Sequence, residues 1–157
     1  MKGTTIAEQM HVVNIIPPVD INGGAVESDY WSMELYQHAT IILTLGATGA
    51  ASTVTLFESD DNDGTAETAI GFDYYAEETA AGDTLGARTT VANTGFGTHA
   101  TIDNITYVIE VDASELSDGY PYLVLKMSNP AVATLVSAVA VLSGARYAQA
   151  VTPTAIA

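Results

Sequence analysis

TIDNITYVIEVD at residues 101–112, ASELSD at 113–118 and GYPYLVLKMS at 119–128 form the stretch whose reading decides the fold. Tyr107, Ile109 and Val111 alternate against Val108, Glu110 and Asp112. After the acidic turn, Leu123, Leu125 and Met127 alternate against Tyr122, Val124 and Lys126. A period of two places every second side chain on one face, so each run is a half-buried strand. The segment 113–116 between them has the composition of a single helical turn, with Asp112 as its N-cap.

The same alphabet repeats outward from this pair. Residues 39–45 are rich in β-branched side chains, and TVTLFE at 53–58 alternates cleanly. With Gly46 and the small residues up to Ala51 between them, the two read as an antiparallel hairpin. Residues 68–78 read as one strand with Ile70, Phe72 and Tyr74 on one face, and 85–92 as a weaker strand carrying Arg88. Gly82-Asp83 and Gly95-Phe96-Gly97 are turn signals. The segment 131–147 has enough alanine for a helix, but its β-branched residues and the turn at Asn129-Pro130 favour a strand ending near Gly144. Roughly seven to nine short strands, with turns about every 8–12 residues, predict an all-β, single-domain antiparallel β-sandwich, jelly-roll-like in character.

Residues 1–29 read differently. VVNIIPPVDI at 12–21 is apolar, but Pro17 and Pro18 cannot donate to a sheet ladder, and Asn22-Gly23-Gly24 is a strong turn. The expectation is an extended N-terminal arm (1–29) with at most short strands. Such an arm lies along its own domain or reaches a neighbour. The sandwich then spans 30–148 and a C-terminal tail 149–157.

The totals restrict the function classes. The chain has 157 residues, 48% hydrophobic and 15% charged, with mean hydropathy +0.23. That composition can build one core and is not that of a disordered chain. Nineteen Asp and Glu against four Lys and Arg give a net charge of −15. Nucleic-acid binding needs a basic face to displace counterions, and Lys2, Arg88, Lys126 and Arg146 are too few and too scattered to make one. An anionic membrane surface would repel the chain, and the longest apolar region, 131–142, is about 12 residues, short of a bilayer span. No cysteine is present, which removes thiolate and disulfide chemistry. The first residues hold no apolar stretch of signal-peptide length, so the expectation is a soluble protein made in the cytoplasm.

No catalytic constellation is legible. There is no GxSxG elbow, P-loop or GxGxxG, and Asn93-Thr94-Gly95 carries an amide where an aspartic protease needs a carboxylate. His11, His38 and His99 stand at no metal-ligand spacing. Asp60, Asp61 and Asp63 offer hard oxygen ligands for calcium, but an EF-hand register ending at Gly64 would put Ile70 where the bidentate glutamate belongs. The loop reads equally as a turn capped by its own side chains. Trp31 and the tyrosines, Tyr74 and Tyr75 among them, can serve a glycan-binding face or fill the core. In so acidic a chain, Arg88 and Arg146 are expected in bidentate pairs with carboxylates, inside the fold or across a subunit interface. The expectation is a protein that is no enzyme and has no cofactor.

The run YWSM at 30–33, TVTLFESDDNDG at 53–64, YVIEVDASELSDGYPYLVLK at 107–126 and AVAVLSGARYA at 138–148 resemble small structural proteins from the head region of tailed bacteriophages. The resemblance spans about residues 25–148 and implies a capsid decoration, or cement, protein. Such a protein sits on the outer capsid surface of the virion, is bound to the major capsid protein, and clamps neighbouring capsomers. It also implies a homo-oligomer, with a trimer the favoured form, and supplies no catalytic residue. On this reading the arm meets the shell or an adjacent subunit, and the interface candidates are Val12, Val13, Ile15, Ile16, Trp31, Arg88 and Arg146. Two other readings remain: a jelly-roll carbohydrate- or receptor-binding module, and a head–tail joining or tail-tube protein.

Overall fold

A computed structural model of the chain describes residue 3 and residues 5–77, 84–147 and 154–156. Alternating apolar residues collapse it into two antiparallel sheets packed face to face, the sandwich that the sequence predicts. The strands in chain order are β1 (His11–Asp20), β2 (Val26–Glu27), β3 (Trp31–Ser32), β4 (His38–Thr48), β5 (Thr53–Ser59), β6 (Glu67–Ile70), β7 (Phe72–Ala76), β8 (Thr89–Val91), β9 (Phe96–Gly97), β10 (Ile105–Asp112), β11 (Tyr122–Met127) and β12 (Thr134–Ser143). The larger sheet runs β1-β12-β4-β10-β7-β8 and the smaller β2-β11-β5-β6, with β3 on β11 and β9 on β5.

The pairings nest. β1 pairs with β12, β2 with β11, β4 with β10 and β5 with β6, all antiparallel. The chain is thus one long hairpin, with its tip at residues 60–66, rolled until β12 also pairs with β4 and β11 with β5. That is the jelly-roll wrap, and it explains two departures from the sequence reading. First, β4 and β5 lie in different sheets, so the expected 39–45/53–58 hairpin does not form. Gly46 and its neighbours carry the chain across the sandwich instead of reversing it within a sheet. Second, the strand expected over 68–78 breaks at Gly71: β6 stays in the smaller sheet and β7 enters the larger. A Cβ on Gly71 would lie 2.7 Å from the Val91 carbonyl oxygen, so only glycine lets the corner pass this close to the backbone. Residue 78 and the expected turn at Gly82-Asp83 lie outside the described residues.

The inward positions of both sheets meet in one core. Ile41, Leu43 and Leu45 of β4, Ile105, Tyr107, Ile109 and Val111 of β10, and Leu123, Leu125 and Met127 of β11 are all buried there. The acidic turn is a 3₁₀ turn, Ala113–Glu115, whose Glu115 carboxylate accepts the Asp112 N–H at 2.8 Å. Glu58, buried among the core positions of β5, accepts the Ser117 N–H at 2.7 Å and ties this turn to the smaller sheet.

The first 29 residues depart most from expectation. They hold a ten-residue strand, β1, on the edge of the larger sheet. Prolines are tolerated there because an edge strand leaves one row of N–H positions unpaired. Irregular register between Asn14 and Ile16, and again between Ile16 and Val19, turns both Ile15 and Ile16 into the core. Of the tail, 148–153 and 157 lie outside the described residues, but Ala155 is buried and its carbonyl accepts the Ser32 N–H at 2.8 Å.

A chain shortened by residues 1–22 loses Val13, Ile15, Ile16 and Ile21 from the core. At about 1.5–3 kcal/mol for each buried side chain, the loss rivals the roughly 5–15 kcal/mol that holds a typical domain together. The expected outcome is loss of the cooperative urea transition seen by circular dichroism; a shortened chain that still unfolds cooperatively would contradict this packing.

Candidate interaction surface

The residues singled out from the sequence divide between core and surface. Val13, Ile15, Ile16 and Trp31, expected at an interface, are buried inside the chain's own sandwich. The Trp31 indole N–H has no hydrogen-bond partner among the described residues. Tyr74 stacks on Phe96 with ring centroids 4.0 Å apart, in a cluster with Phe72 and Tyr107. Trp31 is therefore a core residue, and Tyr74, half-buried, has its ring stacked against the core instead of forming an open platform for a sugar. Val12 alone of the β1 candidates faces outward, at 54% exposure.

The two arginines separate. Arg88 pairs with Asp73, which also accepts a hydrogen bond from Thr90; the Thr90 hydroxyl and the guanidinium together hold the Asp73 carboxyl below its ordinary pKa. Arg88 thus ties β7 to the segment entering β8. The Arg146 side chain makes no ion pair with a described residue. It borders a cleft of about 570 Å³ at one end of the sandwich, beside Met33, Leu35, Leu116, Tyr120 and Pro121. The acids Glu34 and Asp118 line the same cleft.

The aspartate loop closes on itself. One carboxylate oxygen of Asp61 accepts the N–H groups of Asp63, Gly64 and Thr65 at 3.3, 3.0 and 3.3 Å. Desolvation opposes its charge, but these bonds and the one within the Asp61–Asp63 pair outweigh that and lower its pKa. Among the described residues no three His, Asp or Glu side chains gather as metal ligands, and Asp60, Asp61 and Asp63 do not converge. The loop is the tip of the rolled hairpin, satisfied by its own side chains.

The outer faces of the two sheets are finished differently. On the smaller sheet, the Lys126 ammonium lies 2.6 Å from Glu67 and 3.2 Å from Glu27, over the Phe57 ring at 4.9 Å. The Tyr30 hydroxyl donates to Glu67 and lies 3.0 Å from Glu27. Burial and the two carboxylates both push the Tyr30 pKa far above its ordinary value. This network roofs its sheet, since Val124 is fully buried although it lies outside the core cluster.

The larger sheet shows a polar cluster and an apolar stripe. His38 and Asp112 are cross-strand partners, as are Thr40 and Glu110. His38 Nδ1 lies 2.7 Å from Asp112 and Nε2 2.7 Å from Glu110, which also accepts from Thr40 at 2.7 Å. Burial opposes the imidazolium, yet Asp112 and Glu110 outweigh it and raise its pKa. When protonated, the ring donates from both nitrogens to carboxylates and is an ion-pair bridge between β4 and β10. This cluster is not legible in the sequence, because partners 70 or more residues apart meet only once the register is known. Beside it, Ile42, Val108, Val139 and Val141 occupy outward positions, which was legible as apolar residues on the face where alternation predicts polar ones.

No family model matches the chain, and no curated protein matches it. Among solved structures, the crystal structure of SPBc2 prophage-derived protein YomS is similar over 84% of this chain and 92% of that one, with a TM-score of 0.46 and 13% identity. Among the described residues no helix is long and apolar enough to cross a membrane.

Because the folded-state pKa of His38 is raised, its bridge stabilises fully below about pH 6.5, the ordinary histidine value, and is lost as pH rises through the raised value. The difference in melting temperature between the native chain and His38→Gln is therefore expected to be larger at pH 5.5 than at pH 9. Equal differences at the two pH values would contradict the bridge.

Proposed function

We propose that this chain is a non-enzymatic structural protein of a tailed-bacteriophage virion, one that sits on the outside of the head and ties neighbouring capsomers together. The observation that carries the reading is where the resemblance falls. The segments similar to phage head proteins contain β3 and β5 and parts of β10, β11 and β12, strands of both sheets, so the likeness is to the scaffold itself. A cement protein needs a stiff body and contacts on several neighbours at once, which multiplies weak individual affinities. The rolled sandwich supplies the stiffness. The tightest polar cluster supports the non-enzymatic side, since both nitrogens of His38 are held by carboxylates. The buried position of Trp31 and the stacking of the half-buried Tyr74 ring on Phe96 argue against the glycan-binding alternative.

The test is sedimentation with capsids assembled from the major capsid protein encoded in the same genome. The expected result is saturable co-sedimentation with expanded shells and a rise in shell melting temperature. A genome without a capsid gene, or shells that leave this chain in the supernatant, would defeat the reading. Closed rings of the isolated chain in solution would point to the head–tail connection instead.

A further inference from the structure

We propose that the outer face of the larger sheet, centred on Ile42, Val139, Val141 and Leu135, is a docking surface for a different protein that meets it with apolar side chains rimmed by Lys and Arg. The inference rests on the reading above for the identity of that partner as a capsid subunit, but not for the choice of face.

The register places these residues side by side. Val12 of β1 is opposite Val141 of β12, which is opposite Thr40 of β4. In the next row Asn14, Val139, Ile42, Val108 and Tyr75 run across β1, β12, β4, β10 and β7. The inward neighbours Leu43, Ile109 and Ala140 are buried in the core, so this row faces away from it. Val12 is 54% exposed, Leu135 51% and Ile42 39%. Below the row come the polar Thr44 and Ser137, and beyond them Pro18, Val19, Gly46 and Leu135 border a shallow depression of about 320 Å³. Scattered apolar side chains on a surface need no explanation, but apolar residues adjoining across several strands of one face mark an interaction site. The smaller sheet makes the contrast, because Lys126, Glu27, Glu67 and Tyr30 roof its apolar residues from within the chain.

Charge selects the occupant. The groups flanking the stripe are Glu110, Asp112, Asp73 and Glu77, against His38 and Arg88, each already paired with a carboxylate. Two copies meeting through this face would set acid against acid, each carrying −15 overall. Like-charge juxtaposition of this kind suppresses wrong partners. A basic rim around an apolar centre is the complement.

The experiment is retention of the full chain on a resin bearing butylamine groups, against resins bearing butyl or amine groups alone. Salt high enough to screen the charges isolates the apolar contact. The native chain is expected to be held longer on butylamine than on either single-function resin. Ile42→Thr combined with Leu135→Thr should weaken binding at least about tenfold while leaving the melting temperature within a few degrees, since both side chains face outward and Thr suits a strand. Tyr147→Ser, at an exposed site beyond the end of β12, should change nothing. If the double variant fails to fold, Val12→Thr on the edge strand gives the same reading. Equal retention on butyl alone at low salt, or equal loss from Tyr147→Ser, would overturn the proposal. So would a native dimer that the double variant converts to monomer, because a second copy would then cover the face. Shells that ignore the native chain would defeat the virion reading while the resin still decides the face. Shells that bind native and double variant alike would defeat the face and leave the virion reading standing.

Discussion

Everything in this sandwich depends on the nested antiparallel pairing that rolls one long hairpin into two sheets. β12 lies between β1 and β4, so the last strand of the sandwich completes hydrogen bonding for strands near its beginning. The core residues of β4 and β12 are contiguous only after that closure. Such a topology is dominated by contacts distant in sequence, whose loop-closure entropy must be met before burial compensates it, and folding in the millisecond-to-second range follows. The tip of the hairpin, residues 60–66, joins β5 to β6. Its own aspartates satisfy its backbone, with Asp61 accepting three N–H groups.

Rolling leaves two outer faces, and the chain treats them unequally. The smaller sheet is finished from within: a lysine between two glutamates, roofed by Tyr30, holds the short strands β2 and β6 against β11 and β5. The larger sheet carries His38 between Glu110 and Asp112 and the Arg88–Asp73 pair, and beside them presents Val12, Ile42 and Leu135 to solvent. Few of the nineteen acidic residues have a basic partner, since the chain holds only four lysines and arginines. That excess keeps copies apart and leaves the exposed stripe to a partner of opposite charge.

The sandwich was legible because alternation at 105–112, 122–127 and 134–143 separates inward from outward residues without knowledge of partners. What alternation does not encode is the sheet to which a strand belongs. β4 and β5 each alternate well and have a turn-like connection, yet that connection crosses the core. Gly71 is an ordinary glycine in sequence and a sheet-switching corner in space, because the Val91 carbonyl that forbids a side chain there comes from twenty residues away. Pro17 and Pro18 suggest an arm with at most short strands, whereas the fold holds them in a ten-residue edge strand, the position that admits proline. Of the seven interface candidates, Val12, Arg88 and Arg146 are exposed in the fold, whereas Val13, Ile15, Ile16 and Trp31 belong to the core. Their apolar character was read correctly, but whether an apolar arm covers its own sheet or a neighbour's depends on register that only the folded chain supplies.

The central claim is that β1 closes its own chain's sheet, since the core, the edge and the exposed stripe all follow from it. The chain has no cysteine, so a pair introduced as Val12→Cys and Val141→Cys, cross-strand partners on the outer face, reports that contact directly. Mild oxidation followed by non-reducing electrophoresis and mass spectrometry is expected to give an intrachain disulfide with no increase in chain mass beyond the monomer. Disulfide-linked dimers or higher species as the main product, or two free thiols, would contradict it.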